Sequence, residues 1–129
     1  MKILMSILAA AGLGTASCSA ESNGITVLTP QEFIAKAKAD TTGVILDVRT
    51  LEEYSEGHLA GAHQLDFLNT EAFDAGIKLL DKAPTYYVYC RSGRRSHAAC
   101  EKMQKLGMKV YDMEGGFINW QKLGMPVSK

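Results

Sequence analysis

Apolar residues in this chain cluster in short unbroken runs, and the segments between them repeat with helical spacing. GVILDVR (43–49) and TYYVYC (85–90) are continuous apolar or aromatic stretches. One ends in charge and the other in a cysteine, as strands covered on both faces would. ITVLT (25–29), KVYDME (109–114) and AHQLDF (62–67) supply three further candidate strands. Thr29-Pro30 opens a helix, with Thr29 as N-cap, Pro30 in the first position and Glu32 in the first turn. Phe33, Ile34 and Ala37 are its buried stripe. TLEEYSEG (50–57) predicts a short helix closed by Gly57, and TEAFDAGIKLLDK (70–82) one weakened by Gly76. GRRSHAACEKMQKLG (93–107) is the longest, and GGFINWQKLG (115–124) the last, stopped at Gly124 and Pro126. Strands alternating with helices predict an α/β domain, a mainly parallel central sheet of about five strands with helices on both faces. No internal repeat interrupts the order.

The first residues are of another kind. Lys2 is the only early charge, ahead of the apolar run ILMSILAAAGLG (3–14) and the small residues TASCSA (15–20). The run is too short to span a membrane as a helix. It predicts a secretory signal over residues 1–17, outside the folded unit. LGTASC also resembles the lipobox of bacterial lipoproteins, with Thr15 where leucine is commonest. Lipidation of Cys18, plain cleavage after Ala20 and an uncleaved anchor all stand open, the last disfavoured by the short apolar run. Residues 18–24 then read as a polar tether, and the folded domain is expected over 25–127. These features imply export to a bacterial envelope or periplasm, with membrane contact only through a lipid on Cys18.

At 129 residues the chain suits one domain. Basic and acidic residues balance at 14 each, which argues against a nucleic-acid partner held by bulk charge. Any basic site is therefore local, and Arg91, Arg94 and Arg95 form the obvious cluster. Three cysteines do not make the disulfide framework of a small exported scaffold. No CxxC pair or zinc-like Cys/His spacing occurs, so neither a metal nor a cofactor is expected.

Cys90 is the residue these patterns single out. In parallel α/β sheets, ligands bind beyond the carboxyl ends of the strands, and Cys90 ends one. The next helix begins near Gly93, so residues 91–96 can curl into a cradle of backbone N–H groups. Gly93 permits the turn. A thiolate is favoured at a helix N-terminus beside arginines. The site suits a nucleophile that attacks an anionic substrate and then carries a negative adduct. A strand-end cysteine is most often a small buried hydrophobe. A core position, however, would have no use for Arg91, Ser92, Arg94, Arg95 and Ser96 around it.

These residues carry a family resemblance. LDVRTLEEYSEGHLAGA (46–62), with Asp47, Arg49, Glu53, Tyr54, Gly57, His58 and Gly61, is similar to the early signature of single-domain rhodaneses. YCRSGRRS (89–96) resembles their active-site loop, C-x-x-G-x-R-S, and MEGGFINW (113–120) their late G-G-x-x-x-W element. The resemblance implies a sulfurtransferase working by a ping-pong reaction. Cys90 takes the outer sulfur of an anionic donor such as thiosulfate or polysulfide, holds it as a persulfide, and passes it to cyanide or a thiol. Arg91 and Arg94 would orient the donor. A persulfide carrier or redox-linked binding protein with little turnover of small donors is the competing expectation. Phosphatases of the same architecture use C-x5-R, and here the arginine, Arg95, falls one place early, which argues against phosphatase or arsenate reductase chemistry.

Other residues are assigned around that loop. Asp47 and Arg49 close a strand at the Cys90 edge, and Asp47 is expected to pair with Arg95 and hold the loop. His58 is expected to stabilise a turn and His97 to face outward. Cys100 shares helical spacing with Ala99, Met103 and Leu106 and is expected in the core. Trp120 is expected to pack the last helix on the sheet.

Overall fold

A computed structural model describes residues 19–22 and 24–129. The expected signal segment and Cys18 lie outside the described residues. The described chain forms strands β1 (Ser19–Ser22), β2 (Ile25–Leu28), β3 (Val44–Asp47), β4 (His63–Gln64), β5 (Thr85–Tyr89) and β6 (Lys109–Met113). Its helices are α1 (Pro30–Ala39), α2 (Leu51–Glu56), α3 (Thr70–Leu79), α4 (Arg94–Lys105) and α5 (Gly116–Lys122). The strands lie in the order β1-β2-β6-β5-β3-β4. β2 through β6 are mutually parallel, and β1 joins β2 antiparallel. The α/β architecture with five parallel strands is therefore present.

Two elements differ from the sequence reading. Part of the stretch expected as a tether is β1, with Ser19 opposite Leu28 and Ser22 opposite Ile25. Without it β2 would be a bare sheet edge with unpaired backbone groups. Its polar composition carries no period-two signal, so hydrophobic patterning does not find it. The strand expected over 62–67 shrinks to His63–Gln64. Leu65 and Phe67 still donate their N–H groups to Asp47 and Val48 carbonyls. Asp66 then takes the Leu68 N–H on its own carboxylate, and the chain turns away into α3.

Capping explains where the helices start. Thr29 caps α1 in a full capping box with Glu32, and Thr50 does the same for α2 with Glu53. Side chains of β5 alternate across the sheet. Tyr86, Val88 and Cys90 enter the layer beneath α3 and α4, with Phe73, Ile77, Ala99, Cys100 and Met103. Tyr87 and Tyr89 enter the layer beneath α1 and α5, with Phe33, Leu59, Phe117 and Trp120. Trp120 donates its indole N–H to the Pro126 carbonyl, as a buried indole must find a partner. Cys100 is fully buried, and that burial pushes its thiol well above the ordinary value. It is a core residue and carries no thiolate at neutral pH.

Candidate active site

β5 ends at Tyr89 and α4 begins at Arg94, so residues 90–93 make the whole turn. Gly93 is the N-cap of α4 with φ 105° and ψ −14°, left-handed backbone that favours glycine. The requirement is conformational rather than steric, because a Cβ there would come no closer than 3.8 Å to the Gly115 nitrogen. This geometry brings the Gly93 N–H to the Cys90 Sγ at 3.0 Å. Arg91, Ser92 and Arg94 are exposed around the turn, while Cys90 itself is fully buried.

The second wall of the loop comes from the end of β6. Gly116 has φ 62°, and a Cβ on it would overlap the Arg91 carbonyl and lie 2.8 Å from the Cys90 carbonyl oxygen. Only glycine lets the backbones come this close. The first amides of α5 then dock on the loop: Phe117 N–H donates to the Cys90 carbonyl at 2.8 Å and Ile118 N–H to the Arg91 carbonyl at 3.0 Å. One peptide segment thus carries the thiol on one side and is clamped by α5 on the other.

Asp47 does not pair with Arg95. It holds Arg49, two residues on, through Nε at 2.9 Å and Nη2 at 2.7 Å, and it also accepts from the Arg49 backbone N–H at 3.0 Å. The Tyr89 hydroxyl donates to the same carboxylate at 2.7 Å, while accepting from Leu59 N–H at 3.1 Å. Burial, together with the Asp47 charge, pushes the Tyr89 phenol far up, so it stays a donor. Arg49 Nη2 also donates to the Gly57 carbonyl at 2.6 Å. The network ties β3, β5 and the end of α2 together behind the loop. A carboxylate at full burial takes the guanidinium two residues on, just past its own strand, since the short fork geometry satisfies both.

Arg95 turns instead to Glu53, with a two-pronged bond of 2.8 and 3.0 Å. That bond, aided by Thr50, holds the Glu53 carboxyl down at about 2. Glu53 therefore closes the α2 capping box and braces the first turn of α4 at once. The signal was present in the sequence as T-x-x-E at 50–53, but nothing local linked it to a residue 42 positions away.

A third brace lies under α4. Ser96 is buried, and its hydroxyl sits 2.6 Å from Asp112 Oδ1 and 3.2 Å from the Gly93 carbonyl. His97 Nδ1 lies 3.7 Å from Asp112 Oδ2 and its Nε2 3.8 Å from Glu101. His97 thus leans inward against Asp112 rather than facing solvent. The patterned strand KVYDME hid a charge on its covered face. Burial raises the Asp112 carboxyl to about 6, against the pull of Ser96 and His97. Because the folded value exceeds the unfolded one, the folded state binds more protons between about 4 and 6, and stability falls as pH rises through that window. Asp112→Asn should therefore raise stability at pH 7 by about 2 kcal/mol, with the gain gone below pH ~4. Urea melts of both proteins across pH 3.5–7.5 check this.

His58 is where the sequence places it, as a turn partner. Its Nδ1 lies 2.8 Å from the Tyr54 carbonyl oxygen, its ring stacks on Tyr54 at 3.8 Å, and its backbone pairs with Ser128. A cleft of about 280 Å³ opens beside the loop, lined by Arg49, Glu53, Glu56, Arg91, Phe117 and Gln121 among others.

A strand-end cysteine whose sulfur accepts a loop N–H, in a turn that carries exposed arginines, is an arrangement that suits a cysteine nucleophile acting on an anion. The chain belongs to the rhodanese-like domain family, whose model matches residues 29–123. A sulfurtransferase of Allochromatium vinosum is 33% identical over 98 residues, covering 74% of this chain and 89% of that protein. Thiosulfate sulfurtransferase GlpE of Pseudomonas fluorescens is 31% identical over 88 residues, covering 67% of this chain and 78% of that one. Among solved structures, a rhodanese-related protein of Thermoplasma volcanium superposes with a TM-score of 0.70 at 28% identity, covering 79% of this chain and 96% of that one. Family and relatives together support sulfur transfer as the general chemistry.

Proposed function

We propose that Cys90 carries sulfur as a persulfide between an anionic sulfane donor, thiosulfate or polysulfide, and cyanide or a thiol. The observation that carries this reading is the Gly93 N–H on the Cys90 sulfur at 3.0 Å. A fixed backbone donor stabilises negative sulfur before and after the adduct forms. With thiosulfate, the Cys90 thiolate attacks the outer sulfur, a new S–S bond forms, and sulfite leaves with the electron pair of the bond it loses. Cyanide then attacks the outer sulfur of the persulfide, thiocyanate departs, and the pair returns to Cys90 as thiolate. No oxidant or reductant enters either step.

Arg91 and Arg94 are exposed on the segment that follows Cys90 and draw in the donor. Arg95 is engaged with Glu53, so the sixth loop position offers no guanidinium to a tetrahedral phosphate. A carrier loaded only by a protein partner would share these residues. Full burial of Cys90 favours a small, narrow donor over a protein surface. Steady-state assays with a range of donors test this. Arg91→Ala and Arg94→Ala should each raise KM for thiosulfate about three- to fivefold, more at low salt, with kcat changed less. Unchanged KM at low ionic strength would remove the arginines from donor capture. We infer export and lipid attachment at Cys18 from the sequence resemblance, and membrane fractionation of wild type against Cys18→Ala decides between anchored and free forms.

A further inference from the structure

Of the cleft on the Phe117 side of the loop, the chemistry above uses only Arg91. One of its lining residues, Arg49, is only 3% exposed, and its guanidinium lies over the Phe117 ring at 4.2 Å. Nε and Nη2 are committed to Asp47 and the Gly57 carbonyl. Nη1 has no protein acceptor among the described residues, yet no buried side-chain nitrogen there lacks a partner. Arg49 is one of the residues that line the cleft, and Nη1 is the guanidinium nitrogen left over for a ligand there. Although its charge is paired with Asp47, the N–H groups left on Nη1 can still donate to a second carboxylate.

The rest of the lining is of mixed sign. Arg91 and Gln121 are exposed, and Glu53 is taken by Arg95. Glu56 is exposed and has no partner among the described residues. The cleft thus offers two guanidiniums and one free carboxylate. Its volume of about 280 Å³ is at the small end for ligand sites, which suits a molecule of amino-acid size. It borders the loop at Arg91, the residue next to Cys90, and consecutive Cα atoms are about 3.8 Å apart.

We propose that this cleft binds the sulfur acceptor, and that the acceptor is a small zwitterionic thiol. Its carboxylate lies on Arg49 Nη1 and Arg91, and its ammonium group on Glu56. The proposal rests on the persulfide reading of Cys90. In a ping-pong cycle sulfite has left before the acceptor enters, so Arg91 serves donor and acceptor in turn. The acceptor thiol loses its proton to water, and its thiolate attacks the outer persulfide sulfur. The Cys90 S–S bond breaks, its electron pair returns to Cys90 Sγ, and the acceptor departs as a persulfide anion.

The test begins with protein loaded by thiosulfate and desalted, its discharge followed by intact mass. The acceptors are L-cysteine, 3-mercaptopropionate, cysteamine and 2-mercaptoethanol, each at equal thiolate concentration. L-Cysteine should discharge the protein at least about tenfold faster than 2-mercaptoethanol at subsaturating concentration. Glu56→Gln should cut the advantage of L-cysteine over 3-mercaptopropionate about fivefold, the upper range for an exposed ion pair. S-methyl-L-cysteine has no thiol to transfer sulfur to. It should still bind the unloaded protein, shift the backbone amide resonances of Ile118 and Gln121, and slow discharge by L-cysteine. Loaded protein that discharges equally to all four thiols, or fails to bind S-methyl-L-cysteine, would overturn the subsite and leave the persulfide intact. Protein that never loads with any donor would overturn the persulfide and this acceptor role together.

Discussion

Arg49→Leu should lower the unfolding free energy by about 3–5 kcal/mol, the usual consequence of removing one partner from a buried ion pair. Asp47 is fully buried and takes two of its hydrogen bonds from the Arg49 guanidinium, at 2.9 and 2.7 Å. Leucine leaves that carboxylate with only the Tyr89 hydroxyl and the backbone N–H of residue 49. The Gly57 carbonyl also loses its donor, and Phe117 its stacked cation. Against a typical stability of about 5–15 kcal/mol, such a loss endangers the fold. Denaturant melts at pH 7 measure it. Asp47→Leu in the same chain should recover part of the loss, because it removes the stranded charge. A loss below about 1 kcal/mol would mean that the pair contributes no more than a surface bridge.

Cys90→Ser should reduce sulfur uptake and thiocyanate release to background while the protein stays folded. Serine is close in shape, and its oxygen can accept the same Gly93 N–H that the sulfur accepts at 3.0 Å. It cannot form a persulfide. Turnover with thiosulfate and cyanide, beside a thermal melt of the variant, separates loss of chemistry from loss of fold. A folded Cys90→Ser protein that still turns over would place the nucleophile elsewhere. Cys100 is a poor candidate, since burial keeps its thiol protonated and packed.

The elements that were legible in the sequence are those with a local signal. Buried strands at 43–49 and 85–90, the Thr29 cap and the strand-end position of Cys90 all follow from runs, caps and turn residues. The loop itself was legible because Gly93 and the cationic residues sit next to the cysteine. What the sequence hid are the contacts that reach across it. Asp47 has Arg49 two residues on and Arg95 at the same sheet edge, and only the fork geometry at full burial selects Arg49 over Arg95. Glu53 announces a helix cap, and nothing near it announces Arg95. Gly116 is one of a glycine pair that reads as a helix start, whereas its structural task is to let α5 touch the Cys90 and Arg91 carbonyls. Asp112 is masked by an apolar strand, and β1 by its polar residues.

Intact mass of the wild-type protein before thiosulfate, after thiosulfate and after subsequent cyanide decides whether Cys90 carries sulfur. The persulfide reading predicts a gain of one sulfur atom that maps to the peptide holding Cys90, followed by complete return to the starting mass with cyanide. A mass that never rises with thiosulfate or polysulfide, or a gain that cyanide leaves in place, would contradict it.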